Sequence, residues 1–193
     1  MISCGELLDP ERLWTRTEVL ARPSTVPKAP GVYAWYFRGL DYVPLSACST
    51  RSGFSLLYVG ISPSAPPSNG KVPSRQTLHS RIRYHMQGNA EGSTLRLTLG
   101  CILASELGIE LRRVGSGNHL TFSSGEARLS EWMEDNARVV WHVSLEPWIL
   151  EHQLIRCSDL PLNLNQNRHH AFHAQLTELR RAAKLRARAQ PVL

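Results

Sequence analysis

The sequence contains few cysteines, and the four that it has stand far apart, at positions 4, 48, 101 and 157. No two of them form a Cys-x-x-Cys pair, so they do not make a zinc site of paired thiolates. Four dispersed cysteines also lack the density of small secreted domains that are held together by disulfides. We therefore predict reduced and mostly buried thiols.

Long apolar runs are missing as well. No uninterrupted apolar stretch approaches the roughly 20 residues that span a bilayer. The opening segment MISCGELLDPERLW carries acids where a secretory signal would need a basic and then an apolar run. These absences predict a soluble protein without a membrane partner, and we expect it in the cytoplasm.

What the chain does contain suits one folded domain. It has 193 residues, of which 42% are hydrophobic, enough for a substantial core. Lys and Arg outnumber Asp and Glu by 22 to 16, which gives a formal net charge of +6. A basic surface favours a polyanionic partner, and nucleic acid is a better candidate than a membrane surface.

Periodicity and turn residues predict a mixture of strands and helices. Segments rich in proline, serine and glycine predict connections at 38–55, 62–75 and 159–167, the first with room for a minor hairpin. The predicted strands are 31–37 (GVYAWYF), 56–62 (LLYVGIS) and 137–145, with a separate hairpin at 110–122. The predicted helices are 6–20, 77–88, 93–109, 125–136, 147–157 and 171–189.

Several polar side chains in this pattern suit phosphodiester chemistry. Tyr33 and Tyr58 lie in the first two predicted strands, where two phenols can project from one face of an antiparallel pair. Arg81 and His85 are four residues apart and share one face of a predicted helix. A guanidinium can hold phosphate oxygens bidentately, while histidine and tyrosine can handle protons. Glu151, among apolar neighbours, is either a partly exposed helix residue or a metal ligand directed into a cleft.

Each of these residues alone has an ordinary structural explanation. A tyrosine in a strand more often packs than reacts, and an arginine with a histidine at helical spacing is usually part of a solvated face. Their order along the chain and their combination favour a functional site.

In that order the residues resemble the GIY-YIG nuclease family. The two Ile-to-Val differences from the family pattern preserve shape and β-propensity, and the resemblance covers about residues 31–165. Arg83 and Asn165 compete for two of the positions, but only Arg81 and His85 have the required order at a spacing of four. The matching pieces are Gly31-Val32-Tyr33, Tyr58-Val59-Gly60, Arg81 with His85, Glu151, and Asn163.

The resemblance implies an α+β fold with a small central antiparallel sheet of about three strands, flanked by helices. The gap between the two tyrosine motifs exceeds the compact family pattern, so 38–55 and 90–136 become insertions, the latter with an extra helix and hairpin. An N-terminal extension would occupy 1–30 and the nuclease domain 31–167. A basic C-terminal helix at 168–193 would pack on the domain or extend it.

The resemblance also implies an endonuclease that hydrolyses phosphodiester bonds with one Mg²⁺ or Mn²⁺ ion. Glu151 would hold the ion, in keeping with the few carboxylates that magnesium requires, and Arg81 would stabilise transition-state charge. Tyr33 would orient or deprotonate the attacking water with help from His85, and which of the two is the general base stays open. Tyr58 is expected to position the phosphate or the water.

Asn163 is expected to order the site rather than to carry chemistry. DNA is the favoured substrate, in restriction, repair, recombination or defence, although the basic balance allows an RNA-directed nuclease equally. A catalytically silent nucleic-acid-binding module is the other alternative, but all the matched positions keep chemically competent residues. Four basic side chains are expected to contact the nucleic-acid backbone: Arg83, Arg180, Arg181 and Lys184.

The segment NRHHAFH (167–173) contains three histidines. His169 and His173 would share a helical face and could hold a second metal, but no acid stands at a suitable spacing. Contacts to phosphate or to a helix end are the more common use of such residues.

Overall fold

The computed structural model describes residues 5–67, 69 and 72–193; Cys4 and part of the predicted 62–75 connection lie outside the described residues. A four-stranded antiparallel sheet of order β2-β3-β1-β6 occupies the centre, and β4 pairs with β5 in a separate hairpin. The strands are β1 (Gly31–Phe37), β2 (Thr50–Arg51), β3 (Phe54–Ser62), β4 (Arg112–Val114), β5 (His119–Thr121) and β6 (Ala137–Val143). The helices are α1 (Gly5–Leu8), α2 (Arg16–Leu20), α3 (Leu78–Gln87), α4 (Thr94–Ile102), α5 (Ala104–Leu107), α6 (Gly125–Asn136), α7 (Pro147–Cys157) and α8 (His173–Ala189).

The predicted α+β class is confirmed, with four strands in the main sheet where the sequence predicted about three. The additional strand is β2, a two-residue edge strand from the 38–55 connection. It turns back into β3 through Ser52 and Gly53, which both have positive φ angles, 51° and 77°. Two successive positive φ angles are typical of the type I′ turn that joins a tight β-hairpin.

Strand β1 lies in the middle of the sheet and is buried along its whole length. One face packs against a core that includes residues of α3, α4, α6 and α8, and the other packs against α1 and α7. In the pairing with β3, Tyr33 lies opposite Gly60 and Trp35 lies opposite Tyr58. Directly opposed residues share a face, so both phenols are on the α3 side of the sheet, as the sequence predicted.

The outer edge of β3 is covered by the loop that follows α7. Leu162 donates a backbone hydrogen bond to the Leu57 carbonyl at 3.1 Å. Helix α7 lies on one face at this edge, and α4 packs with α8 on the other side. This arrangement leaves a cleft where the two helical layers and the loop meet.

Two predicted helices differ from the structure. The predicted helix 6–20 consists of α1 and α2, because Trp14 between them exchanges two backbone hydrogen bonds of 3.0 Å with Val139 of β6. The predicted helix 93–109 divides into α4 and α5 at Leu103, where ψ is 6°. The hairpin predicted at 110–122 is confirmed by β4 and β5. In the described part of the chain no helix is long and apolar enough to cross a membrane.

Candidate active site

Tyr33 and His85 form the buried centre of the candidate site. Tyr33 Oη lies 2.9 Å from His85 Nε2, and His85 Nδ1 lies 2.7 Å from Ser93 Oγ. Both ring side chains are almost completely buried, with 1% and 0% exposure. Strand β1 supplies the phenol, α3 supplies the imidazole, and the residue that caps α4 supplies the hydroxyl.

Gly60 makes room for the Tyr33 ring. A Cβ atom at position 60 would lie 2.6 Å from Tyr33 Oη and 2.7 Å from Cζ. No side chain fits at such distances, so the glycine of the second tyrosine motif is required by the tyrosine of the first. Strand β3 continues past Gly60 to Ser62.

His85 is a neutral imidazole. Burial is the main cause that lowers its pKa well below 6.5, and the nearby charges of Arg81 and Arg96 lower it further. A neutral imidazole donates one hydrogen bond and accepts the other. In one tautomer Tyr33 donates to Nε2 while Nδ1–H donates to Ser93 Oγ, and in the other tautomer both directions are reversed.

Tyr33 is held in its protonated form. Burial raises the pKa of its hydroxyl, and neighbouring Tyr58 contributes to the increase, while the charge of Arg81 and its hydrogen bond oppose it. A phenolate at this position therefore requires more positive charge than the described residues supply.

Arg81 is oriented by the loop that follows its own helix. Helix α3 begins at a capping box formed by Thr77 and Ser80, which fixes the register of the residues behind it. From the second turn Arg81 donates a hydrogen bond of 2.9 Å to the Gly92 carbonyl. Among the described residues no carboxylate pairs with Arg81, so its guanidinium keeps donors available for an anion.

Arg96 holds the C-terminal end of α3 in place. Its guanidinium is fully buried and forms an ion pair with Glu126, with Nη2 at 2.7 Å from Oε2. It also donates to the carbonyls of His85 and Met86 at 3.3 and 3.4 Å. A cation at a helix C-terminus is favourable for the helix dipole, so this ion pair supports the turn that carries His85.

A cleft of about 360 Å³ opens at the edge of β3 in front of this centre. Tyr58 of β3, Glu151 of α7, Thr94 of α4 and Arg180 of α8 line it. Tyr58 is half-buried; burial raises the pKa of its hydroxyl, while a hydrogen bond with Thr94 and the charge of Arg81 oppose that increase. The charge of Glu151 acts on Tyr58 and also on Tyr33. The carboxylate in the cleft is therefore near both tyrosines.

Glu151 is a poorly solvated carboxyl group. Burial raises its pKa to about 7, and the hydrogen bond from Gln166 opposes the shift. That bond is long, with Nε2 at 3.3 Å from Oε2, and no cation pairs with the carboxylate in the described part of the chain. A carboxylate in this condition gains from a bound cation.

Asn163 holds β3 in place next to Tyr58. Its Oδ1 accepts from the Val59 N–H and its Nδ2 donates to the Val59 carbonyl, both at 2.9 Å. Because one side chain satisfies both backbone groups of an edge-strand residue, it fixes the strand at the cleft. Asn165, its competitor in the sequence, lies exposed at the cleft wall.

The GIY-YIG catalytic domain model matches residues 31–182. The chain belongs to the GIY-YIG family. No curated protein and no solved structure gave a significant match. The match confirms the resemblance found in the sequence and continues into α8. Membership implies a nuclease-type activity on nucleic acid.

The structure brings the six predicted GIY-YIG site residues to one region, although only part of them line the cleft. Tyr58, Glu151 and Asn163 lie at the cleft wall. Tyr33 and His85 are buried behind it, with Arg81 near both tyrosines. Their catalytic roles stay predictions.

Of the four predicted backbone contacts, Arg180 alone lines the cleft, and all four residues are described by the structure. Arg83 donates to the Val19 carbonyl at 2.9 Å and borders a groove with Lys28. Arg181 is exposed and paired with Glu178 at 2.7 Å.

Lys184 does not line the GIY-YIG cleft. Its charge acts on Glu91 and Cys101, two residues of the 90–136 segment. It therefore lies over that insertion, and a contact to nucleic acid there stays a prediction.

The histidine segment forms a structural contact. His170 Nε2 donates to Asp159 Oδ1 at 2.9 Å, since its Nδ1 accepts from the Phe172 N–H. The Cys48 thiol donates to the other oxygen of Asp159 at 3.3 Å, and burial raises the pKa of that thiol to about 12. The described residues contain no cluster of three His, Cys, Asp or Glu that could hold a metal.

Three residues that contribute to the site were not among those predicted from the sequence. Ser93 was predicted as a helix cap, which it is, since it accepts from the Arg96 N–H at 3.1 Å. Its contact with His85 and the contacts of Thr94 and Gln166 depend on tertiary packing. No local sequence pattern predicts these contacts.

Proposed function

We propose that this chain is a divalent-metal-dependent endonuclease that hydrolyses phosphodiester bonds in DNA. The observation that carries the proposal is that Glu151 and Tyr58 line one cleft and both act electrostatically on Tyr33, which contacts His85. DNA as the substrate follows from the family resemblance, and the basic net charge of +6 suits either nucleic acid.

The cleft fits a hard divalent cation of the Mg²⁺ type. Glu151 offers a single carboxylate whose pKa is raised by burial, at the wall of the cleft. Magnesium keeps several waters and takes one or two carboxylates together with substrate phosphate. The absence of a larger acidic cluster in the described residues suits that mode of binding. When bound, the cation would supply stabilisation of negative charge on the scissile phosphate and the leaving oxygen.

Arg81 supplies the fixed positive charge. One of its N–H groups is already committed to the Gly92 carbonyl, which sets the direction of the guanidinium. The remaining donors can hold phosphate oxygens as negative charge develops on them. Tyr58, beside Arg81 at the cleft wall, positions the phosphate or the attacking water.

Tyr33 and His85 handle the proton. Tyr33 Oη lies 2.9 Å from Nε2 of the neutral imidazole, which accepts the hydrogen bond of the phenol in one tautomer and donates to it in the other. Tyr33 would orient the attacking water, or take its proton once positive charge near the phenol favours the phenolate, while Ser93 holds the His85 ring through Nδ1. The burial that disfavours a phenolate is offset when positive charge approaches it.

Cleavage assays test the proposal. Supercoiled plasmid and structured RNA are each incubated with the protein in Mg²⁺, in Mn²⁺ and in EDTA. We expect metal-dependent nicking of the plasmid that is lost in Glu151→Gln and kept in Glu146→Gln, an exposed control directly before the first residue of the same helix. Cleavage of RNA alone would favour an RNA-directed nuclease. Binding without cleavage in any metal would favour a silent binding module, and activity in EDTA would contradict the metal assignment.

A further inference from the structure

The position of Arg180 differs from the positions of the other basic residues of α8. Of these residues, all of which the structure describes, Arg180 alone lines the cleft that holds Tyr58 and Glu151. Its neighbour Arg181 is exposed and forms an ion pair with Glu178. Arg188 is exposed too, and it makes no ion pair or hydrogen bond with the described residues. The helix therefore presents one of its basic side chains to the cleft.

The Arg180 guanidinium has no anionic partner in the described part of the chain. No carboxylate forms an ion pair with it, and none of its N–H groups makes a hydrogen bond there. The side chain is half-buried, and burial lowers its pKa while the nearby Cys101 and Tyr58 favour its charge. A partly desolvated cation without a partner is unfavourable by itself, so it suits a site that an anion completes.

The position of Arg180 differs from that of Arg81. Arg81 acts on both Tyr33 and Tyr58, whereas Arg180 acts on Tyr58 and Cys101. Both guanidinium groups therefore act on Tyr58, and Arg81 also acts on Tyr33 and His85. Glu151 lines the cleft as well, without an ion pair to either arginine.

We propose that Arg180 binds the phosphate that neighbours the scissile phosphate on the cut strand, as a binding subsite separate from the position of Arg81. This inference rests on the proposed function. A guanidinium fork matches the oxygens of a phosphodiester. The contact holds the strand across the cleft and leaves the charge at the reacting phosphate to Arg81. Arg180 is therefore a substrate-binding residue rather than a second source of transition-state stabilisation.

Binding and kinetics of Arg180→Gln test the inference, with a short fluorescent DNA duplex as the probe. We expect the Kd in EDTA and the KM in Mg²⁺ to rise about 10- to 100-fold at low salt, with kcat nearly unchanged. The slope of log K against log salt should fall by about 0.9, the value for one phosphate contact on a duplex. Arg180→Lys should restore most of that slope but only part of the affinity.

Arg188→Gln is the matched control, because it removes the same charge from an exposed position of the same helix. It should change Kd less than about twofold. Equal weakening by both variants would overturn the inference, since α8 would then act only through its net charge. A fall in kcat without a change in KM would overturn it too, because Arg180 would then act on the scissile phosphate.

Failure of this inference is distinguishable from failure of the proposed function. If the unmodified protein neither binds nor cleaves the duplex or RNA, the function itself is wrong. If the unmodified protein cleaves and Arg180→Gln does so with the same KM, only the subsite is wrong. Circular dichroism and thermal unfolding verify that each variant folds. If Arg180→Gln does not fold, the Kd and KM of Arg180→Lys, which retains the charge, test the inference instead.

Discussion

Replacing Glu151 with glutamine should stabilise the folded protein above neutral pH while abolishing metal-dependent cleavage. Glutamine has the shape of glutamate, and its amide oxygen can accept the same hydrogen bond from Gln166. The substitution therefore removes the charge and little else. A gain in stability together with a loss of activity is expected where a site stores an unfavourable charge for its function.

The sign and size of the effect follow from the pKa. Burial raises the pKa of the Glu151 carboxyl from its ordinary value of 4.5 to about 7, so between these values the folded protein binds a proton more tightly than the unfolded chain. Stability is then lost as the pH rises through this range, and the full cost is present above it. A pKa change of this size corresponds to roughly 3 kcal/mol, and partial exposure reduces our expectation to about 1–3 kcal/mol.

Urea denaturation in EDTA at pH 5 and pH 8 measures the difference. Glu151→Gln should exceed the unmodified protein in free energy of unfolding by about 1–3 kcal/mol at pH 8, and the difference should shrink towards pH 5. Glu146→Gln, at the exposed position directly before the same helix, should differ little at either pH. Added Mg²⁺ should stabilise the unmodified protein and leave Glu151→Gln unchanged. A difference that is the same at both pH values, or of opposite sign at pH 8, would refute the reasoning.

Two further substitutions test how the buried centre is supported. Gly60→Ala places a Cβ 2.6 Å from Tyr33 Oη and should destabilise the fold by about 1–3 kcal/mol; unchanged urea unfolding together with unchanged cleavage would contradict the requirement for glycine. Arg96→Met leaves the Glu126 carboxylate without its ion pair and should cost about 3–5 kcal/mol. The double variant with Glu126→Gln should recover part of that loss in a double-mutant cycle, and full additivity of the two losses would show that the pair is not coupled.

The central strands were predictable because each carries its own signal. GVYAWYF and LLYVGIS are β-prone runs bounded by turn residues, and the structure places strands at Gly31–Phe37 and Phe54–Ser62. Helix α3 was predictable from its ends, since Thr77 caps it and Gly88 follows it. The short edge strand β2 was not, because two residues carry no periodicity and only pairing with β3 makes them a strand.

The N-terminal segment shows where local pattern fails. Residues 6–20 suggested one helix, but Trp14 stacks on Trp141 with ring centroids 5.3 Å apart and bridges to Val139. Tertiary contact with β6 thus overrides helix propensity in the middle of the segment. A sequence window contains no information on a partner more than a hundred residues away.

The site itself was predictable as an ordered set of residues, and its supports were not. Tyr33, Arg81 and His85 could be proposed from spacing and chemistry, since strand pairing and helical periodicity are local rules. The role of Gly60 could not, because its reason is the ring of Tyr33 on the neighbouring strand. Arg180 was one of several basic residues in the sequence, and only the packing of α8 directs it into the cleft.

The 90–136 segment appeared in the sequence as an insertion outside the minimal domain, yet it supplies contacts that the site needs. Ser93 holds His85 at 2.7 Å, and Arg96 from the same segment donates to the His85 carbonyl. Glu126 balances that buried cation and also accepts from the Ala90 N–H at 2.8 Å. Because these groups are buried and mutually satisfied, removing any one leaves an unpaired polar group beneath the helix that carries Arg81 and His85. The segment is therefore a support of the candidate active site rather than an appendage, and truncating it would remove the environment that keeps His85 neutral.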